Sequence, residues 1–373
     1  MATAAAAGPS DQGTWLGHPK GLFVLFLTEM WERMSYYGMR SLLVLYMVNH
    51  LFIRPDVGAK VLGFNALRHA LEAAFGPMAS QALSSQVYGL YTGFVYMTPF
   101  FGGLLADRLL GRRKAVIVGG ALMAIGHFLM AMENMFFLAL MFLILGNGCF
   151  KPNISTQVGG LYPQGDPRRD RAFSIFYVGI NIGAFLAPLI CGTLGQTVGW
   201  HWGFGAAGVG MVLGLLFYVF NQDKLPTEAP PTESKTAPIA GVAAFIVGIP
   251  LGILALLWLL TLPRAIPVSI AVLLLGAAFT WIARLPKDER PRVIAISVSC
   301  MIVAAFWAVY EQQGNTLQLF ADQNTRWPAL PHIGIPAFTL FGMHTGGWFL
   351  PPRMPSTWYQ AFNPFMIWIS RRC

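Results

Sequence analysis

The stretch EMWERMSYYGMR, Glu29 to Arg40, sets two carboxylates, two guanidinium groups and two phenols close together in one short run. Glu29/Arg33, Glu32/Tyr36, Arg33/Tyr37 and Tyr36/Arg40 are four apart, so a helix lines acid, base, phenol and base along one face. The flanks Gly21–Leu27 and Ser41–Phe52 hold no Asp, Glu, Lys or Arg. The longest uncharged neighbouring piece, Ser41–Ile53, is too short to cross a bilayer alone. The charges therefore lie within a span, where each costs about 2.5–3.5 kcal/mol on insertion scales and needs a partner or water beside it. Two readings fit: an ion-pair cluster that staples helices, or a water-lined pathway with titratable carboxylates. The stripe favours the pathway.

Two further charges stand in apolar surroundings. Lys151, in GNGCFKPNIS, follows a long apolar run and precedes Pro152, which should break the helix locally. It fits a lysine snorkelling to the interface or one facing a cavity. Glu311, in FWAVYEQQGNT, is read as intramembrane, with an interfacial helix end as the other reading.

The elements that must position these groups are spanning helices. The 373 residues are 55% hydrophobic and only 11% charged, with mean hydropathy +0.56; soluble domains carry about a quarter charged residues. The fold class is an all-α polytopic membrane protein. The expected spans are Gly21–Phe52, Val87–Ala106, Ala115–Met132, Met135–Gly160, Ala172–Gly192, Gly203–Phe220, Ile239–Leu262, Ile266–Ala283 and Val293–Phe320. A tenth apolar segment from Thr357 runs only to RRC, about 21 Å of helix against a hydrocarbon core about 30 Å thick. It reads as a helix cut off in mid-span or a half-helix lying on its neighbours.

The net charge of +9 does not point to nucleic acid, because the bases sit in short loops between apolar runs. Most of them (Lys20, Arg108, Arg112, Arg113, Lys114, Arg168, Arg169, Arg171 and several after Asn221) lie on the side of the N-terminus. The N-terminus is therefore expected in the cytoplasm. Residues 1–20 read as a cytoplasmic tail, disordered over Met1–Trp15 and without a cleavable signal. Residues 21–220 read as a six-helix bundle, 221–238 as a polar, Pro-rich cytoplasmic linker, 239–283 as two added helices and 292–373 as the start of a second bundle. Cys149, Cys191, Cys300 and Cys373 form no CxxC pair. HExxH and GxSxG are absent and no Cys/His cluster suggests a metal, so no enzyme is expected.

At these residues the chain resembles the proton-dependent oligopeptide transporter (POT) family of the major facilitator superfamily. ExxERxxYYGxR is present as Glu29, Glu32, Arg33, Tyr36, Tyr37, Gly38 and Arg40, with Met34 where the family commonly has an aromatic residue. GGLLADRLLGRRK, with Gly103, Asp107, Arg108, Gly111 and Arg112, resembles the superfamily's loop motif, expected to orient and gate the bundle. FYVGINIG, FKPNIS and FWAVYEQQG resemble the fifth, fourth and seventh helices, and STWYQAFNPFMI the start of the eighth. Five motifs in order over Gly21–Asn315 are specific: a sugar or drug carrier of the superfamily explains only the loop motif.

The resemblance implies a proton-coupled symporter importing di- and tripeptides by alternating access in a bacterial cytoplasmic (inner) membrane. It would work as a monomer, with protons as coupling ion and no other cofactor. Arg40 and Lys151 would hold the peptide carboxylate, with Tyr36, Tyr37, Tyr91 and Asn181 lining the pocket. Glu29, Glu32, Arg33 and Glu311 would couple protons, Glu29 or Glu32 pairing with Lys151 in one state. Members have twelve core helices; here the similarity stops at WISRRC, and the family's acidic partner for the peptide amine has no counterpart. A truncated, transport-inactive product of such a gene is the other reading.

Overall fold

The computed structural model describes residues 13–226, 237–330 and 353–370, with the backbone of a few short strand pairs between 334 and 349. The chain opens on a hairpin, β1 (Thr14–Trp15) against β2 (His18–Pro19), turning through Leu16 and Gly17, both at positive φ. Part of the expected disordered tail is thus ordered, because His18 is buried and its Nδ1 meets the Tyr162 hydroxyl at 2.8 Å.

The helices are α1 (Lys20–Tyr46), α2 (Val57–Lys60), α3 (Phe64–Phe75), α4 (Ser80–Leu105), α5 (Arg112–Leu129), α6 (Phe136–Gly160), α7 (Arg168–Ala187), α8 (Thr193–Thr197) and α9 (Trp200–Phe220). They continue with α10 (Ala237–Thr261), α11 (Ala265–Arg284), α12 (Arg290–Tyr310), α13 (Thr316–Asn324) and α14 (Tyr359–Ser370). Each expected span coincides with a helix, and α14 occupies the short tenth segment. By length and apolarity alone six described helices qualify to cross a membrane. The three that do not, α1, α4 and α5, are the ones diluted by charge, by serine and glutamine, or by the basic cluster at their start.

The first bundle packs through backbone contact. α1 lies against α7 and α9, and α6 against α4 and α5. A side chain on Gly102 would meet the Gly148 carbonyl, and one on Gly183 the Met30 carbonyl, so these glycines let helices touch along their backbones. α6 runs unbroken through Pro152, contrary to the expected break. Pro152 cannot donate to the Gly148 carbonyl, and this is the carbonyl that faces Gly102 on α4.

Between α1 and α4, outside the expected spans, α3 forms. Phe64, Leu67, Leu71 and Phe75 repeat at helical spacing, and Gly63 and Gly76 bound it at positive φ. α10 packs on α3 and on α4, whereas α11 and α12 bury no described residue.

Candidate functional site

The loop motif forms the turn joining α4 to α5. Ala106–Leu110 wind as a π-helical turn, Gly111 closes it at φ 77°, and Arg112 Nη2 donates to Asp107 Oδ1 at 3.4 Å. Gly103 has ordinary room beside Pro152, so the tight approach belongs to Gly102; Arg108 is exposed. Arg113 Nη2 donates to the Leu225 and Pro226 carbonyls at 2.8 Å each, tying this turn to the end of α9.

The charges of α1 divide into two groups. Glu29, Glu32 and Arg33 are all but inaccessible, at 2%, 0% and 3% exposure. Arg33 grips Glu32 in a two-pronged pair, through Nε to Oε2 and through Nη2 to Oε1 at 2.7 Å, and its Nε lies 3.3 Å from Glu29 Oε1. Its guanidinium carbon also lies 5.0 Å from the Tyr36 ring centre and 5.9 Å from that of Tyr37. The second oxygen of Glu29, equally buried, has no hydrogen-bond partner among the described residues.

Arg40, two turns on, reaches out of its helix. Nε donates to the Tyr88 hydroxyl on α4 at 2.8 Å, and Nη2 to Glu311 Oε2 at 2.6 Å. Glu311 sits in the 3₁₀ turn Glu311–Gly314 between α12 and α13, and its other oxygen accepts from the Tyr96 hydroxyl at 2.9 Å. Lys151 forms no ion pair with Glu29 or Glu32; its ammonium stands 5.2 Å from the Tyr96 ring centre.

These side chains converge on a cavity of about 330 Å³, within the roughly 300–1,000 Å³ of small-molecule sites. Of the expected residues, Tyr37, Arg40, Lys151, Asn181 and Glu311 line it. Tyr36 and Tyr91 do not; both are buried among helices, Tyr36 edge-on to Tyr37 at 5.3 Å. Asn181 donates to the Tyr177 carbonyl at 2.8 Å, leaving its amide oxygen for another group. The far wall comes from α12 and α14, with Trp307, Tyr310, Gln360 and Asn363. Asn363 Nδ2 donates to the Tyr310 hydroxyl at 2.9 Å, and the Tyr359 hydroxyl to the Gln313 carbonyl. The sequence reading missed Tyr88 and Tyr96. They are eight residues apart on α4 and therefore on one face, a spacing that could have flagged them.

At the end of the molecule away from the basic turn, a polar network centred on Asp322 joins the two halves. Ser356 Oγ donates to Asp322 Oδ1 at 2.7 Å and accepts from Gln196 Nε2 at 2.8 Å, while Asn49 Nδ2 donates to Asp322 Oδ2 at 3.1 Å. These bonds link the π-turn Met47–Leu51 after α1, α8, α13 and the turn before α14.

The POT family (PTR2) matches residues 113–339. The transporter YclF of Bacillus subtilis, itself uncharacterised, is 36% identical over 369 residues, covering 95% of this chain and 67% of its own length. The peptide transporter YePEPT of Yersinia enterocolitica is 32% identical, covering 95% and 66%. The chain belongs to the POT family. It spans about two thirds of the length of these relatives. A peptide transporter POT crystallised with sulfate superposes on this POT chain with TM-score 0.67 and 35% identity, covering 96% of this chain and 68% of the other. A POT transporter holding 5-aminolevulinic acid gives TM-score 0.67 at 30% identity, covering 96% and 69%. The POT chain is accordingly an integral membrane protein of the major facilitator type.

Proposed function

We propose that this chain is a proton-coupled importer of di- and tripeptides, a carrier rather than an enzyme. It would act as a monomer in a bacterial inner membrane, with its N-terminus in the cytoplasm and no cofactor besides protons. The observation that carries this reading is the shared cavity of Arg40 and Lys151, two cations from different helices facing one small-molecule-sized space. A peptide carboxylate in a low-dielectric cavity needs fixed cations, and the guanidinium of Arg40 offers a two-pronged donor. Two relatives, of Yersinia enterocolitica and Lactococcus lactis, carry the names peptide and di-/tripeptide transporter.

Coupling follows from competition for these cations. Glu311 occupies Arg40 in the present arrangement. A proton on Glu311 weakens that pair and frees Arg40 for the peptide carboxylate; loss of the proton restores the pair and helps expel the peptide. Glu29, with a buried oxygen that meets no donor among the described residues, is the natural second proton acceptor, and its pairing with Lys151 belongs to another state of the cycle. The loop motif, held at the end of α9 through Arg113, orients the bundle as it rocks.

The test is uptake of a labelled dipeptide by liposomes carrying the chain, with the interior made alkaline. Wild type should accumulate peptide, and Glu29→Gln or Glu32→Gln should abolish proton-driven uptake while sparing counterflow. Undiminished proton-driven uptake in both variants would sink the coupling scheme.

A further inference from the structure

We infer that the groove where the N-terminal hairpin meets α1 and α9 is a binding site for the headgroup of an anionic phospholipid. The groove encloses about 230 Å³ and is lined by Trp15, Lys20, Phe23, Leu27, Phe217 and Lys224, with Asn221 at its polar end. It is separate from the peptide cavity and lies at the opposite end of α1 from the Asn49–Asp322 contact.

Its two lysines are placed together by packing. Gly21 lies against the backbone carbonyl of Lys224, a contact that leaves no room for a side chain, so the first residue of α1 and the segment after α9 are held side by side. Lys20 is exposed and Lys224 half-buried, and among the described residues neither has a carboxylate partner; Lys224 donates to the Asn221 amide oxygen. Among the described residues no acid lines the groove. Two neighbouring ammonium groups without counter-ions repel each other and attract a phosphate.

The remaining walls say that the phosphate belongs to a lipid. Below the lysines, Phe23, Leu27 and Phe217 form an apolar track along the spanning part of α1 and α9. The Trp15 ring packs on Phe23, centroids 4.2 Å apart, while remaining 55% exposed, as an aromatic at the membrane–water border does. Cations above, an interfacial tryptophan and an apolar track below match the order of headgroup, glycerol and acyl chain in one lipid molecule. A free phosphate would leave the apolar track without a ligand.

Binding is measured by native mass spectrometry of the detergent-solubilised full chain, titrated with phosphatidylglycerol, with phosphatidylcholine of the same acyl chains, and with inorganic phosphate. Each basic residue near an anionic headgroup contributes about fivefold in affinity. Lys20→Gln/Lys224→Gln should therefore lower phosphatidylglycerol affinity roughly thirtyfold, leave phosphatidylcholine binding unchanged and so report that the fold is intact. Lys20→Arg/Lys224→Arg should retain tight phosphatidylglycerol binding, and either single glutamine variant should lose about fivefold. Equal phosphatidylglycerol affinity in wild type and the double glutamine variant overturns the assignment. So does inorganic phosphate binding as tightly as the lipid. The measurement involves no transport, so its failure and a failure of the proposed transport function are separately visible.

Discussion

Two charged groups in α1 share a helix and differ in what they hold. Glu29, Glu32 and Arg33 pair with one another within two turns of the same helix, so their ion pairs say nothing about where other helices lie. Arg40 spends its guanidinium on Tyr88 of α4 and on Glu311 beyond α12, joining parts of the chain 271 residues apart. The first group is a stability problem solved locally. The second is a connection between two bundles, and breaking it alters which arrangements of the bundles are favoured. Burial alone does not distinguish them; the address of the partner does.

The largest effect should come from breaking the local group. Arg33→Met leaves two carboxylates in a site that excludes water, and removing one partner of a buried pair costs about 3–5 kcal/mol. Thermal unfolding in detergent should show a loss of that order. Restoring balance by adding Glu29→Gln and Glu32→Gln should recover most of it, because a neutral buried set is often no worse than an ionic one. A loss below about 1 kcal/mol for Arg33→Met would mean the carboxylates are already neutral or hydrated, since exposed pairs contribute only that much.

A double-mutant cycle sharpens the contrast. Arg40→Gln and Glu311→Gln remove charge while leaving polar groups, and their contact at 2.6 Å should give a coupling of about 1–3 kcal/mol. Arg40→Gln with Glu29→Gln, which share no contact, should add within about 0.5 kcal/mol. Equal couplings in the two cycles would erase the distinction between a local cluster and a bridge.

Much of this was legible in the sequence, and what was not has a physical cause. The i,i+4 spacing from Glu29 to Arg40 identified the face, because helical period is a local property. It could not name Tyr88 or Tyr96 as the groups that meet Arg40 and Glu311, since that depends on how α4 is rotated against α1. Gln360 and Asn363 reach the cavity only because α14 packs on α7. Pro152 misled because its effect was judged from its own helix, whereas the carbonyl it leaves unbonded faces Gly102 of a neighbour. Tyr36 and Tyr91 show the converse: polar residues on the right helices that pack behind the cavity wall.

The smallest expected effect lies outside the spans, where charges pair in water. Asp56, between α1 and α2, accepts from Lys60 and from Arg54, and these hydrogen bonds hold its carboxyl down at about 2 against an ordinary 3.8. Arg54 also binds Glu133, which meets His50 at 2.7 Å, so the network around Asp56 ties the α1–α2 connection to the α5–α6 connection. A depressed folded-state value means that the paired form stabilises the protein in full above the ordinary value and loses that contribution as pH falls through about 2. The difference in melting temperature between wild type and Asp56→Asn should be constant above pH 5 and shrink between about pH 4 and 2. It should also shrink with added salt, because these side chains are open to solvent. The buried Arg33 group, by contrast, should be nearly indifferent to salt. A salt response as large for Arg33→Met as for Asp56→Asn would show that water reaches the interior cluster as freely as it reaches the loop.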